Sequence, residues 1–320
     1  MQKLRAFLAD FASVRSLLLA GALTVLLAWG CATAPKTLWM KDMKRSFHTG
    51  EIISARSGQP VSFDEMLDDL RSVQVVYVGE RHTDRVHHKI QLEILSRLFN
   101  AHSDMSVGME MFDHTYQPVL DRWSTGDMDW QEFLEKTHWY ANWKYNASLY
   151  REILKFIKQH HIPLIGINIP FSLPPKISIG GIESLNTEEK KHLPAAIDLS
   201  NTAHRDYVKK IFEFHHLPGR NDFETFYEAQ CAWEDGMADA IAKHRDYQPM
   251  VVLLGGGHII HKFGVPERAF KRTAASFRTV YLAPAGSRAE LSYADYIWVT
   301  ADAAADETLV IDHESKKKSS

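Results

Sequence analysis

The stretch that decides the fold is Val75–Leu95, which reads VVYVGERHTDRVHHKIQLEIL. It opens with a short apolar run, rich in β-branched residues, that predicts a buried strand. Gly79 interrupts this run, and apolar residues then recur every four positions from Val86 to Leu98, as they do on one face of a helix. Thr83 precedes that face and is the predicted N-cap. The stretch therefore predicts a strand, a polar turn and a helix.

The same alternation of strand and helix continues along the chain. Apolar runs at 105–110, 163–168, 250–254, 277–282 and 296–299 predict further strands, with helical patterns between them. Strands that alternate with helices indicate parallel strands joined by right-handed crossovers. Residues 174–247 are charged and helical in pattern, without a good strand. The predicted fold is therefore a parallel-sheet α/β domain with an inserted small helical domain.

These patterns divide the chain into four parts. Residues 1–30 are predicted to be a signal peptide of the lipoprotein type, and residues 31–60 a tether and lead-in. The α/β sheet domain is predicted to comprise 61–173 and 248–312, and the helical subdomain 174–247. Ser62 and Glu65 have the spacing of a capping box, which predicts that the first helix begins at about residue 63.

The N-terminus carries the features of an export signal. Three basic residues precede an apolar run from Leu17 to Trp29 that is too short to span a bilayer comfortably. The run ends in LAWGC, which resembles the lipobox of bacterial lipoproteins and predicts a lipid on Cys31. Ala32, rather than Asp, follows the cysteine, and this favours the outer membrane over the inner membrane of the bacterial envelope. A cleaved signal peptide without lipid and an uncleaved anchor remain alternatives.

Composition excludes two classes of protein. The 37 basic and 40 acidic residues give a formal net charge of −3 at pH 7, and a mildly acidic body argues against a nucleic-acid partner. The chain has two cysteines. With Cys31 lipidated, Cys231 has no partner, so no disulfide framework holds this fold.

Polar side chains follow several of the predicted strands. Glu80 and His82 follow the first strand, while Glu110, Asn168 and His258 stand at the ends of three others. Because the carboxyl ends of parallel strands meet at one edge of a sheet, we expect these side chains to converge. Two histidines and two carboxylates suit a divalent metal, or acid and base catalysis. The sequence therefore predicts a site at this edge.

Six short motifs carry a resemblance to a known family. They are GERH at 79–82, GME at 108–110, HRDY at 204–207, FYEAQ at 226–230, WEDGMA at 233–238 and GGGH at 255–258. The first, second and last resemble the signatures of the Tiki/TraB/erythromycin-esterase superfamily. Within it, the chain resembles the ChaN-like family of iron-regulated, haem-binding lipoproteins, over roughly residues 55 to 300. The resemblance implies haem bound through a tyrosine at a homodimer interface.

The tyrosine that binds haem is not fixed by this resemblance. Tyr207 is preferred, because His204 and Arg205 precede it on a predicted helix and a nearby cation favours the phenolate. Arg205, Lys209 and Lys210 are then expected to serve the haem propionates. The alternatives are Tyr227, Tyr140 and Tyr145.

Two functions are consistent with these patterns. The first is an envelope lipoprotein that binds haem for iron uptake and is held at the membrane by its lipid. The second is a metal-dependent hydrolase of the protease or esterase type. In the second, His82 is a general base or metal ligand, Glu80 and Glu110 are its partners, and His258 stabilises charge. No Ser or Cys elbow is present, which disfavours a covalent nucleophile.

Overall fold

The structure is a computed structural model that describes residues 36–214, 222–244 and 249–302. The predicted signal peptide and the predicted lipidation site Cys31 lie outside these ranges. The described residues from Thr37 onward belong to one compact unit. None of the helices within the described ranges combines the length and the apolar character needed to cross a membrane.

The described residues contain eleven strands and eleven α-helices. The strands are β1 (Leu38–Met40), β2 (Arg45–Phe47), β3 (Ile52–Ser54), β4 (Gln59–Val61), β5 (Val75–Glu80), β6 (Ser106–Asp113), β7 (Leu164–Asn168), β8 (Met250–Gly255), β9 (Phe277–Pro284), β10 (Arg288–Ala289) and β11 (Tyr296–Thr300). The helices are α1 (Phe63–Arg71), α2 (Arg85–Phe99), α3 (Gln117–Thr125), α4 (Trp130–Lys136), α5 (Trp139–Asn142), α6 (Arg151–Gln159), α7 (Leu173–Gly180), α8 (Thr187–Lys190), α9 (Thr202–Phe214), α10 (Phe223–Lys243) and α11 (Val265–Thr273).

The main sheet has eight strands in the order β4-β3-β11-β9-β5-β8-β6-β7. The six strands from β11 to β7 are parallel to one another, whereas β3 pairs antiparallel with both β11 and β4 at one edge. β1, β2 and β10 form a second, three-stranded sheet. The predicted fold class is confirmed. Because β8 lies between β5 and β6, the carboxyl ends of these three strands are adjacent, where parallel α/β sheets bind ligands.

Helices cover both faces of the parallel strands, which explains their continuous apolar sequences. On β5, Val76 and Val78 face one buried cluster, which also includes residues of α1, α2 and α6. Val75 and Tyr77 face the other cluster, which includes residues of α10 and α11. This alternation of faces is the period of two that a strand imposes.

The lead-in differs from its prediction. Residues 31–60 are predicted to be a tether, but from Leu38 onward the structure has four short strands. Leu38, Met40 and Phe47 are fully buried, so this segment is part of the packed fold. The strands have only three residues each, which is too short for an alternating pattern to be recognised in the sequence.

The helix starts are partly as predicted. The capping box is present, with Glu65 N donating to Ser62 Oγ at 3.2 Å and Ser62 N to Glu65 Oε2 at 2.7 Å. The predicted N-cap at Thr83 is wrong. Asp84 caps α2 instead, and its carboxylate accepts from Val86 N at 2.9 Å. Both residue types are good caps, so the local sequence does not decide between them.

The helical insertion packs directly on the sheet domain. α7, α8, α9 and α10 occupy the segment predicted to be helical, and its described residues contain no strand. α10 approaches the chain after β7 closely at Gly236, where an added Cβ would lie 2.3 Å from Ile169 Cγ2. The insertion therefore brings its own side chains to the edge of the sheet.

Candidate functional site

The predicted polar edge is formed where β5, β6 and β8 end. His82 Nδ1 lies 2.8 Å from Glu80 Oε1, and Glu110 Oε2 accepts from the backbone N–H of Gly255 at 2.6 Å. His258 Nε2 lies 3.5 Å from Glu110 Oε1. Residues separated by almost 180 positions in the sequence thus converge, as expected from the parallel topology.

Asn168 has a different position from these four. Its side-chain amide donates to the backbone oxygen of Glu110 at 2.9 Å, and its Oδ1 accepts from Ile169 N at 2.8 Å. Asn168 therefore fixes the backbone of β6 and of the turn after β7, and is not directed at the same space as the histidines.

Glu80 is a buried carboxylate at the centre of the edge. Besides His82, it accepts a hydrogen bond from the Tyr150 hydroxyl at 2.6 Å, and His88 Nε2 lies 3.0 Å from its Oε2. Burial alone would raise the pKa of Glu80, but the charge of His88 and the bonds from both histidines lower it well below its usual range. Glu80 is therefore an anion that holds His82 in place.

His82 turns its second nitrogen toward Gly255 and solvent. A Cβ on Gly255 would lie 3.1 Å from His82 Nε2, and the His82 side chain is 22% exposed. The rings of Trp143 and Tyr145 pack against the His82 ring, and the centroid of each lies 4.9 Å from the centroid of His82. Burial would lower the pKa of His82, but the bond to Glu80 and the charges of Glu110 and Glu80 raise it. His82 therefore holds its proton to a higher pH than a free imidazole does.

His258 lies between two carboxylates. Its Nε2 faces Glu110, and its Nδ1 lies 3.2 Å from Oε1 of Glu234, a buried residue of α10. Burial alone would lower the pKa of His258, but Glu110 and Glu234 outweigh this effect and raise the pKa to about 10. At neutral pH His258 is therefore an imidazolium between two carboxylates.

A buried ion network continues from Glu234 into the helical insertion. His204 Nε2 lies 3.0 Å from Glu234 Oε2, and Arg268 Nε lies 3.5 Å from the same oxygen. Arg268 also pairs with Asp235, which in turn accepts from Arg272 at 2.7 Å. This network fixes α9, α10 and α11 to one another behind the polar edge.

The prediction of a divalent metal at this edge has no support in the geometry. In the ranges 36–214, 222–244 and 249–302, no group of three or more His, Cys, Asp or Glu side chains is arranged to hold a metal ion. Glu80 and Glu110 bind neighbouring protein donors instead, and His82 and His258 each bond a carboxylate. Each of these four side chains therefore already bonds a neighbouring group of the protein.

Tyr207 lies elsewhere, on a partly exposed aromatic surface. Its ring meets His261 edge-on, with centroids 5.9 Å apart, and His261 in turn contacts Phe263 and Tyr293, both at 5.1 Å. We call these four residues the Tyr207 patch. Burial and the neighbouring Tyr281 raise the pKa of Tyr207, so its phenol is neutral in the free protein.

The predicted cations do not stand beside Tyr207. His204 is buried against Glu234, one turn earlier on α9. Arg205 pairs with Glu224 and lies over the rings of Phe223 and Tyr227, 5.0 Å from each centroid. Arg205 lies two positions before Tyr207 on the helix, and side chains at this spacing do not face each other. His204 lies three positions before Tyr207, but its imidazole is held by Glu234 of α10.

The alternative tyrosines differ in exposure. Tyr227 is 1% exposed and donates its hydroxyl to the backbone oxygen of Asn201 at 3.2 Å. Tyr145 packs against His82, and burial raises its pKa to about 12. Tyr140 is 42% exposed.

Comparison with known proteins identifies the family. The sequence profile of a family described as haem-binding uptake, Tiki superfamily, ChaN matches residues 66–269, which is more than half of the chain. The chain belongs to the ChaN family. A search of curated protein sequences finds no match.

One solved structure agrees with this ChaN assignment at the level of the fold, and two further structures are more distantly similar. A structure of ChaN from Campylobacter jejuni, described as showing cofacial haem binding, is 21% identical, with a TM-score of 0.63 over 77% of this chain and 95% of that chain. A mutant of the erythromycin esterase EreC in its open conformation is 14% identical, with a TM-score of 0.44 over 73% of this chain and 77% of that one. The type III effector HopBA1 is also 14% identical, with a TM-score of 0.42 over 75% and 93%.

The pKa of His258 leads to a prediction for this ChaN-family protein. Because the folded pKa of about 10 lies above the ordinary value of 6.5, the stabilisation is complete below pH 6.5 and is lost as the pH rises through about 10. We expect the free energy of unfolding, measured by urea titration, to fall across this interval. The free energy of unfolding of His258→Gln should depend less on pH in this interval than that of the wild type. Equal pH dependence in the two proteins would contradict the raised pKa of His258.

Several site residues were missed in the sequence. Glu234 lies in the WEDGMA motif, and Tyr150 in the aromatic-rich segment 137–150, but neither position carries a local sign of its partner. His88 and His261 each stand near a predicted site residue, and Arg268 lies on α11. Their contacts are tertiary, so only the folded chain supplies them.

Proposed function

We propose that this ChaN-family protein is an envelope lipoprotein that binds ferric haem at the Tyr207 patch for iron uptake. The family membership supports haem as the ligand. The observation that supports the Tyr207 patch as the haem site is that Tyr207 is partly exposed and lies within a cluster of aromatic rings. Such rings suit the flat apolar face of a porphyrin, and a tyrosine oxygen is an established haem-iron ligand.

The charges around the patch fit the rest of the haem molecule. Lys210 is exposed, and its charge acts on His261 at the centre of the patch. Lys41 is also exposed, but its Nζ binds Glu290 Oε1 at 3.2 Å, and the carboxylate of Glu290 acts on His261 with the opposite sign. An ammonium group suits the carboxylates of the propionates. Arg205 pairs with Glu224 and lies over the rings of Phe223 and Tyr227, which leaves Lys209 and Lys210 of the three cations predicted from the sequence.

Tyr207 is favoured over the other tyrosines by exposure and by surroundings. Tyr227 is buried, and its hydroxyl already donates to the backbone oxygen of Asn201. The surrounding core would have to open before haem iron could reach this oxygen. Tyr145 belongs to the polar edge. Tyr140 is exposed, but within the part of the chain that the structure describes it has no aromatic cluster like the one around His261.

We extend the proposal to a homodimer that forms over the patch. Cofacial haem binding is described for the Campylobacter jejuni protein. A second copy of this chain would cover the second face of a haem on the Tyr207 patch. Light scattering on the full-length protein in detergent should therefore show a dimer whose fraction rises with added haem, and a monomer at all haem concentrations would contradict this part.

The haem-binding proposal is tested by absorption spectroscopy. Full-length protein in detergent is titrated with ferric haem, and metal content is measured on the same sample. A saturable shift of the Soret band at one haem per chain or fewer is the expected result, without stoichiometric divalent metal. A titration that matches detergent alone would overturn the proposed function.

The lipid anchor is tested by one substitution. Cys31→Ser removes the thiol that the lipobox-like sequence LAWGC predicts to be acylated. We expect the protein to move from the membrane fraction to the soluble fraction after a salt wash, because a lipid chain supplies about 0.8 kcal/mol for each buried methylene group. Cys231→Ser is the matched control, since Cys231 is buried in the fold. Retention of the Cys31→Ser protein on membranes would contradict lipidation.

A further inference from the structure

A largely apolar cavity lies between α7 and α10, outside the Tyr207 patch. Its volume is about 260 Å³. Phe171, Phe226 and Trp233 line it, together with Ala229 and the two prolines in the first turn of α7. The three aromatic side chains are partly exposed, so the cavity is open to solvent. None of the four residues of the Tyr207 patch borders it, and haem binding at that patch gives the cavity no role.

The cavity shares two of its walls with the polar edge. The ring of Trp233 meets the ring of His258 edge-on, with the centroids 4.9 Å apart. Phe171 packs against Trp143 at 5.9 Å, and Trp143 in turn contacts His82. A molecule in the cavity is therefore separated from His258 by one aromatic ring and from His82 by two.

The size and the walls of the cavity limit what it can hold. A cavity of about 150 Å³ binds benzene, whereas drug-sized ligands occupy roughly 300–1,000 Å³. The space between α7 and α10 therefore suits two fused rings and is too small for haem. None of the eight residues that line it within the described ranges carries a charged side chain. Because a buried charge without a partner is costly, the ligand has to be uncharged.

Gln230 supplies a polar group to this cavity. Its Nε2 donates to Glu234 Oε1 at 2.7 Å and lies 3.4 Å from His258 Nδ1, so the amide nitrogen is held at the polar edge. The amide oxygen lies on the other side of the same planar group. It is not buried, and it accepts no hydrogen bond from the residues that the structure describes. Ser178, the other polar lining residue, already donates its hydroxyl to Pro175 O at 2.8 Å.

We propose that the cavity binds a small, uncharged aromatic molecule of two fused rings that carries one N–H or O–H donor. Its rings pack against Phe171, Phe226 and Trp233, since aromatic pairs are favourable beyond the area they bury. Its donor binds Gln230 Oε1, the acceptor that the protein leaves without a partner. This site does not depend on the proposed haem function, because it shares no residue with the Tyr207 patch.

The test uses two probes of nearly equal shape, 5-fluoroindole and 5-fluorobenzofuran. Indole has a ring N–H where benzofuran has an oxygen atom without hydrogen. Each probe is titrated into full-length protein in detergent and followed by fluorine NMR. Detergent alone is the reference, because apolar probes also enter micelles, and this partition is the same for every variant.

Three variants are compared with the wild type. Gln230→Met keeps the length of the side chain and removes the acceptor, whereas Ala229→Leu fills the cavity from the side of α10. Gln131→Met is the matched control. Gln131 also donates to a glutamate four positions later, Glu135, at 2.8 Å, but it is exposed on α4. Circular dichroism establishes that each variant is folded.

We expect wild type and Gln131→Met to bind one molecule of either probe per chain. Gln230→Met should bind 5-fluoroindole about fivefold more weakly, the usual effect of losing one neutral hydrogen bond. Its affinity for 5-fluorobenzofuran should not change. Ala229→Leu should bind both probes at least roughly tenfold more weakly, because its side chain occupies the space of the rings.

Three results would overturn the inference. One is the absence of saturable binding of both probes to the wild type, and another is unchanged affinity in a folded Ala229→Leu protein. The third is a Gln230→Met protein in which the ratio of the two affinities equals that of Gln131→Met. If Ala229→Leu does not fold, this ratio decides the question.

Discussion

Replacing Glu234 with Ala is expected to destabilise the fold by about 3–5 kcal/mol, the usual cost of removing one partner from a buried ion pair. Glu234 is 1% exposed, and it faces His258, His204 and Arg268 at 3.0–3.5 Å. Without it, these three groups lose their shared counter-charge in a place that water does not reach. Urea unfolding followed by tryptophan fluorescence measures the loss.

The matched control for this prediction lies on the same helix. Glu224 begins α10 and pairs with Arg205, but its side chain is 64% exposed. Because exposed ion pairs contribute little, Glu224→Ala should cost far less than Glu234→Ala. Similar losses for the two variants would mean that the Glu234 network does not stabilise the fold. Glu234→Gln, which keeps the size and some hydrogen bonds, should give an intermediate loss.

Replacing Tyr207 with Phe is expected to lower ferric haem affinity at least tenfold, which corresponds to about 1.4 kcal/mol. The variant keeps the ring that contacts His261 and removes only the oxygen. The charge-transfer band of a tyrosinate–iron bond should disappear from the visible spectrum. Tyr140→Phe, which changes an exposed tyrosine outside the patch, should leave both properties unchanged.

The structure changes the reason for this expectation. From the sequence alone, His204 and Arg205 are expected to stabilise a phenolate, but both bind carboxylates of α10. Burial raises the pKa of Tyr207, so the phenol holds its proton until iron arrives. The charge of the iron itself then has to displace the proton, as bound metal ions do for their ligands. An unchanged tyrosinate band in Tyr207→Phe would exclude this residue as the ligand.

The parallel sheet and the convergence of its polar ends were predictable from local patterns. An apolar β-branched run followed by Gly79 and a helical period is visible without any tertiary information, and topology rules bring the ends of such units together. For this reason Glu80, His82, Glu110 and His258 were found as one group.

The partners of these residues were not predictable. His88, Tyr150 and Glu234 contact the edge from three different parts of the chain, and no period or cap in the sequence marks those contacts. The direction of the pKa of His82 depends on Glu110 as well as on the adjacent Glu80. The charge state of a site thus depends on long-range neighbours, whereas its location can follow from local sequence.

The place of β8 has a consequence for how the chain acquires its structure. β8 inserts between β5 and β6, although β5 and β6 precede it by more than 130 residues. Until Met250–Gly255 has been synthesised, both earlier strands lack their neighbour and expose unpaired apolar edges, which are prone to aggregate. Closing so long a loop is slow. The parallel strands of this sheet therefore cannot all pair until the last third of the chain is present.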